Sequence, residues 1–360
     1  MSKLKAIIVD DSLLYRMFIR NVLSQEDSIE VVSSAGDGEQ ALQEIEVHKP
    51  DLITLDIEMP ILDGISVLRK LGEMNSPTQA IVLSGLSQTG AKLTQQALDL
   101  GAFDFVVKPD SPDRDRNYQL LTDGLTSRIQ ALQQSRFFAG GDESRRPINT
   151  NGSEWESSSV HPDKQVVVIG VSTGGPTALK EIVSRLPHDL SVPVLVVQHM
   201  PAMFTSALAQ DLNRHCQLEV VEARSEQMKP GTIYIAPGGK QMEIFRSATG
   251  SFIRIVSEAS DHDYRPSVDV LFDSAAEAYG ASALGIVMTG MGDDGLKGCA
   301  SLKAKGATVL TQDESTCVVY GMPRKVVEAK LSDDVVPLPC LADRIAAYTR
   351  AAYKRKGVPV

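Results

Sequence analysis

The chain of 360 residues carries 36 basic and 46 acidic side chains, a formal net charge of −10, so the basic footprint of a duplex nucleic-acid binder is missing. No apolar run reaches the roughly 20 residues that cross a bilayer, and no secretory leader precedes the strand-like segment Lys3 to Val9; the expectation is a cytoplasmic protein with no membrane insertion. Four widely spaced cysteines, Cys216, Cys299, Cys317 and Cys340, form no CxxC pair, which argues against a disulfide framework or structural zinc and for small core residues.

From the N-terminus, short β-branched runs alternate with amphipathic stretches. Ala6–Val9, Val31–Ser34, Leu52–Leu55, Ala80–Leu83 and Phe103–Val107 read as strands, each followed by a helical pattern. This is a five-fold βα repeat, which predicts a doubly wound parallel sheet. The last helix is expected from about Arg114 to Phe137, with Gly124 weakening its middle.

Functional residues of such a sheet gather at the C-terminal ends of strands, where strand order reverses. Asp10 and Asp11 close the first strand, Asp56 the third, Ser84 the fourth and Lys108 the fifth. With a strand order of 2-1-3-4-5, three carboxylates converge on one crevice, with Ser84 and Lys108 on its far side. Their mutual repulsion calls for a bridging hard cation, and Mg²⁺ suits oxygen donors. Asp56 is then a nucleophile toward phosphorus, with Lys108 and Ser84 contacting the phosphoryl oxygens. Lys108-Pro109 fits a tight turn compatible with a cis bond. A single strand-end Asp more often caps a turn or helix; five such groups at matching strand ends favour a site.

These residues, with Leu55-Asp56-Ile57-Glu58-Met59-Pro60 and the Lys108-Pro109 pair, resemble the receiver domains of two-component response regulators over about residues 1–125. The resemblance implies that Asp56 is the phosphoacceptor and that Asp10, Asp11, Asp56 and the Glu58 carbonyl hold magnesium. It also implies that Ser84, Phe105 and Lys108 respond to the phosphoryl group, Phe105 being the aromatic switch.

Between Ala139 and Lys164 the composition turns to Gly, Asp, Glu, Ser, Arg, Asn and Pro around an isolated Trp155, too little apolar content for a packed element. The organisation expected is a receiver domain over 1–138, a flexible linker over 139–163 and a second domain over 164–360. In that domain Val166–Gly170, Val192–Val197, Leu218–Val221, Ile233–Ala236, Ile253–Val256, Leu284–Thr289 and Thr308–Thr311 read as strands. It is expected to be α/β and Rossmann-like, with a mainly parallel sheet and an antiparallel hairpin appended between Val220 and Val256.

Val166–Gly170 runs into Val171-Ser172-Thr173-Gly174-Gly175, a glycine-rich turn that serves either a phosphate cradle or the GxSxG turn of a serine nucleophile. A serine needs a base and the base an orienting group. Of six histidines, His48, His161, His188, His215 and His262 lie in helical, linker or polar contexts, whereas His199 ends an apolar run beside the strand that presents Ser172. Thr289-Gly290-Met291-Gly292-Asp293-Asp294-Gly295 follows another buried strand. One of its two acids is expected to accept the Nδ1 hydrogen of His199, and Met291 is positioned to offer its backbone N–H to an oxyanion. Spacing does not choose between the acids, and a cap on the next helix is the alternative role for either. The order Ser, His, Asp rejects the α/β-hydrolases. Gly170-Val171-Ser172 in place of Gly-x-Gly disfavours a dinucleotide site.

The motifs GVSTGGPTAL (Gly170–Leu179), QHMPAMF (Gln198–Phe204), YIAPGG (Tyr234–Gly239), RPSVDVLF (Arg265–Phe272), TGMGDDG (Thr289–Gly295) and YGMPR (Tyr320–Arg324), behind a receiver and linker, resemble the chemotaxis response-regulator protein-glutamate methylesterases. The resemblance implies Ser172, His199 and Asp294 as the triad, Met291 as the oxyanion donor and Asp293 as non-catalytic, with no cofactor for the ester reaction. It further implies demethylation of glutamyl methyl esters on the cytoplasmic helices of chemoreceptors, with deamidation of glutamines, and phosphorylation by a chemotaxis histidine kinase. The unphosphorylated receiver is expected to cover the esterase cleft. A receiver-gated scaffold with a dead esterase fold and a hydrolase of some non-receptor ester are the alternatives. The short basic tail from Lys354 to Val360 is expected to be a solvated end.

Overall fold

The computed structural model describes residues 3–139, 163–257 and 264–354. The expected linker thus falls almost wholly outside the described residues, as do His161, His262 and the end of the basic tail. The chain divides into two compact units, Met1–Gln133 and Gln134–Val360.

The first unit alternates β1 (Leu4–Val9), α1 (Leu13–Ser24), β2 (Ile29–Ala35), α2 (Gly38–His48), β3 (Leu52–Asp56), α3 (Gly64–Glu73), β4 (Gln79–Gly85), α4 (Gln88–Asp99), β5 (Asp104–Lys108) and most of α5 (Arg114–Ala139). The helices start where side chains accept otherwise unpaired N–H groups: Ser12, Asp37, Asp63 and Ser87 cap α1 to α4, each worth about 1 kcal/mol. The five strands are parallel in the order β2-β1-β3-β4-β5, so the reversal lies between β1 and β3. Helix α5 passes Gly124 unbroken. The Lys108-Pro109 bond is trans, the cis peptide among the described residues being Arg265-Pro266. A strand-end residue before proline already has the extended backbone that trans X-Pro favours.

The second unit holds a seven-stranded sheet ordered β15-β14-β13-β6-β7-β10-β8, every pair parallel. In chain order it comprises β6 (Val166–Val171), α6 (Gly175–Arg185), β7 (Val194–Gln198), α7 (Phe204–His215), β8 (Glu219–Glu222), β9 (Glu226–Gln227), β10 (Thr232–Ile235), β11 (Gln241–Ser247), β12 (Gly250–Val256), α8 (Val268–Tyr279), β13 (Ala283–Val287), α9 (Leu296–Ala304), β14 (Thr308–Gln312), α10 (Met322–Glu328), β15 (Asp334–Val336) and α11 (Leu338–Lys354). Because both faces are covered, β6 needs no polar alternation, and Val166, Val167, Val168 and Ile169 are all fully buried. Burial of each such side chain is worth about 1.5 to 3 kcal/mol. β8 and β10, within the interval expected to hold a hairpin, instead join the parallel sheet; the hairpin is β11–β12, with β9 as a third antiparallel strand. The chain leaves β6 toward β7 on one side and reaches β13 on the other, which makes the end of β6 a second reversal point.

Candidate active site

In the first unit one oxygen each of Asp10, Asp11 and Asp56 lies within 4.8 Å of the others. The Lys108 ammonium bridges two of them, 2.7 Å from Asp10 Oδ2 and 2.6 Å from Asp56 Oδ2. Burial pushes the Asp56 carboxyl up to about 6, against the pull of Lys108, and raises Asp10 as well. Lys108 itself loses hydration, yet the two carboxylates more than offset that loss and hold its proton more tightly. Ser84 and Phe105 are buried on β4 and β5, and the Glu58 backbone N–H donates to Asp56 Oδ1 at 3.4 Å. Three clustered carboxylates, two of them poorly solvated and short of positive charge, fit a hard divalent cation.

Sequence reasoning missed two neighbours on α1. Tyr15 donates its hydroxyl to the Pro109 carbonyl and lies 4.6 Å from the Lys108 ammonium, ring face inward. Arg16 donates to the Asp10 and Asp11 carbonyls. Both fall in the first turn of α1, just after the acid pair, which was the available signal.

In the second unit β13, β6 and β7 lie side by side, so the turn bearing Ser172 is flanked by those bearing Asp294 and His199. The Ser172 N–H donates to the Thr289 carbonyl and the His199 N–H to the Val171 carbonyl. Gln198 Nε2 donates to the Ser172 carbonyl. Gly290 is packed so tightly that a Cβ there would stand 2.7 Å from Ser172 Cβ, which brings the Met291 turn against the serine. Thr289 Oγ1 stitches this turn further, donating to the Thr173 carbonyl and accepting from the Val319 N–H. The left-handed conformation after the serine falls on Gly174, at φ +77°, so glycine rather than the serine bears the backbone requirement that a nucleophile elbow places on its serine.

His199 Nε2 lies 2.7 Å from Asp294 Oδ2, which corrects the expected use of Nδ1. The acid stands one strand beyond the serine, and the far nitrogen of the ring is the one that spans β6. Nδ1 is buried and has no hydrogen-bond partner among the described residues. Asp293 is exposed and Asp294 buried. Besides His199, Asp294 accepts from Ser267 Oγ at 2.9 Å, Val268 N–H at 2.7 Å and Asp269 N–H at 3.0 Å. Burial alone would raise this carboxyl, but the His199 bond and charge and the two N–H groups outweigh it and hold Asp294 below its ordinary range.

Val268 and Asp269 open α8, so Asp294 also caps that helix. Asp269 returns the arrangement, its Oδ1 accepting the Gly295 and Gly298 N–H groups at the start of α9. Its carboxyl is raised by burial, with Asp294 nearby adding to the effect. Gln241 pins the approach to α8 from both sides, donating to the Tyr264 carbonyl and accepting from the Ser267 N–H. Ser267, Asp269 and Gln241 were not singled out in the sequence; only the Ser267 cap had a local signal.

Residues 167–345 match the family described as CheB methylesterase, and residues 6–117 match the response regulator receiver domain. A relative from Desulfotalea psychrophila named protein-glutamate methylesterase/protein-glutamine glutaminase is 43% identical over 357 residues, covering 96% of this chain and 98% of that protein. A relative of the same name from Clostridium acetobutylicum is 40% identical over 354 residues, covering 97% of this chain and 99% of its own length. The crystal structure of the Thermotoga maritima CheB methylesterase catalytic domain, 40% identical, aligns with a TM-score of 0.49 over 51% of this chain and 97% of that one.

Proposed function

The chain belongs to the CheB methylesterase family with a response-regulator receiver domain, and from that membership and the site geometry we propose that it is a phosphorylation-activated protein-glutamate methylesterase and protein-glutamine glutaminase of chemotaxis adaptation. The observation that carries the ester reaction is the His199–Asp294 contact at 2.7 Å, which leaves a buried Nδ1 with no partner among the described residues.

With Nε2–H donated to Asp294, the imidazole presents the Nδ1 lone pair. Ser172 Oγ attacks the γ-carbonyl of a receptor glutamyl methyl ester as its proton passes to Nδ1. Asp294, already ionised and fully hydrogen-bonded, stabilises the imidazolium that forms. The Met291 backbone N–H is the oxyanion donor. The proton on Nδ1 is returned to the departing methoxide, methanol leaves, and water activated by the same nitrogen hydrolyses the glutamyl-enzyme. A glutamine side chain follows the same route and releases ammonia. Replacing Ser172 by Ala and measuring methanol release from methylated receptor membranes tests this; release at the wild-type rate would overturn it.

Control resides in the receiver. Asp56 takes a phosphoryl group from a chemotaxis histidine kinase. Asp10, Asp11, Asp56 and the Glu58 carbonyl would hold Mg²⁺, which when bound would neutralise charge on the transferring group. Lys108 pairs with the new phosphoryl oxygens and Ser84 turns its hydroxyl to them, with Phe105 following. The unphosphorylated receiver holds the esterase at low activity, and a difference of a few kcal/mol between two states is enough for one phosphoryl group to release it. No helix among the described residues is long and apolar enough to cross a membrane.

A further inference from the structure

His199 is engaged on its ring face as well as at Nε2. The Tyr264 ring lies flat against the imidazole, centroids 4.4 Å apart and planes 7° from parallel. His199 keeps 11% of its side chain exposed, whereas Tyr264 remains 40% exposed, so the tyrosine is the lid between the imidazole face and solvent. Its hydroxyl extends over the acid turn, where a Cβ on Gly292 would stand 3.1 Å from it. The strap that carries Tyr264 is fixed independently: buried Gln241 binds the Tyr264 carbonyl and the Ser267 N–H, while Gly239 donates to the Arg265 carbonyl. Three residues on, the same strap delivers the Ser267 hydroxyl to Asp294. One short segment therefore holds the face of the base and the back of the acid.

We infer that Tyr264 is a positioning residue for the hydrolytic reaction, its ring holding the His199 imidazole between Asp294 and Ser172. A plane pressed against the imidazole resists rotation about χ2, the motion that would carry Nδ1 away from the serine. Because the ring passes from neutral to cationic as Ser172 loses its proton, an aromatic face against it is worth more in the transition state than in the ground state. The effect belongs to the ring and not to the hydroxyl. This inference rests on reading His199 as the general base.

The test uses the full chain with methylated receptor membranes. Tyr264→Ala is expected to lower kcat between about tenfold and about a hundredfold while KM moves less than about twofold. Tyr264→Phe should keep at least about half of the wild-type kcat, since it keeps the aromatic face. Carbethoxylation of His199 by diethyl pyrocarbonate, followed on its own peptide by mass spectrometry, should be faster in Tyr264→Ala and near the wild-type rate in Tyr264→Phe. Three results overturn the inference: a raised KM at wild-type kcat, which makes Tyr264 a substrate wall; equal losses in the Phe and Ala variants, which moves the effect to the hydroxyl; or unaltered His199 reactivity in Tyr264→Ala. Ser172→Ala runs alongside: if it stays active, the functional reading has failed, and the reactivity of His199 still decides whether Tyr264 shields the ring.

Discussion

The two units bury carboxylates at the same kind of place, the reversal point of a parallel sheet, and treat them in opposite ways. In the first, Asp10 and Asp56 share one ammonium, and loss of hydration pushes both upward. In the second, Asp294 collects His199, a hydroxyl and two backbone N–H groups and is held below its ordinary range despite comparable burial. The receiver crevice is under-neutralised and suited to take charge from outside. Asp294 is satisfied in advance and, in the proposed reaction, need not reorganise as charge develops on the histidine.

The most severe break falls on the satisfied site. Ser172→Ala should lower methanol release from receptor membranes at least about a thousandfold. Asp294→Asn should cost about 10³ to 10⁴ in kcat, since the amide turns a donor toward groups that already donate and leaves the Nε2 proton without an acceptor; single-turnover kinetics with receptor membranes measures it. On the other side of the comparison, removing residues 1–138 should raise basal methanol release severalfold, and Asp56→Asn should abolish the response to acetyl phosphate. A truncated chain no faster than the full one would refute restraint by the receiver.

The smallest effects are those on stability, and they should differ in sign. Asp56 has a folded-state value raised to about 6, so its ionisation opposes folding at neutral pH and the penalty fades as pH falls from about 6 toward the unfolded value near 4. In buffer with a chelator at pH 7, Asp56→Asn should therefore stabilise the first unit, on the order of 1 to 3 kcal/mol. Asp294 is shifted the other way. Its contribution is present above the unfolded value of about 4 and is lost as pH falls through its lower folded value. Asp294→Asn should therefore destabilise the second unit at pH 7 and flatten the decline of its Tm below about pH 4. Calorimetry of both variants across pH 3 to 7, roughly the span of these carboxylates, checks the opposition.

Most of the architecture could be read from the order of apolar runs, because strands buried on both faces, such as Val166–Val171, carry no competing pattern. β11 escaped because Phe245 on its outer face, partly exposed and stacked on Phe252, breaks the alternation of Met242 and Ile244. β15 is only three residues long, Asp334–Val336, below what periodicity detects. At the site, residue types and strand ends pointed to Ser172 and His199 but left Asp293 and Asp294 level. The choice between them, and between the two ring nitrogens, depends on β6 lying between β7 and β13, a tertiary fact. Tyr264 and Gln241 act through contacts between distant segments, for which no local pattern exists.

The exchange of caps between α8 and α9, with Asp294 closing one helix and Asp269 the other, bears on how this protein can change over evolutionary time. On the proposed reading, loss of Ser172 removes the reaction and no helix cap, whereas a change at Asp294 loses the reaction and the helix start together. Descendants drifting toward a role without catalysis should therefore shed the nucleophile first and keep the acid, so a surviving aspartate at this position is poor testimony that an enzyme is still alive.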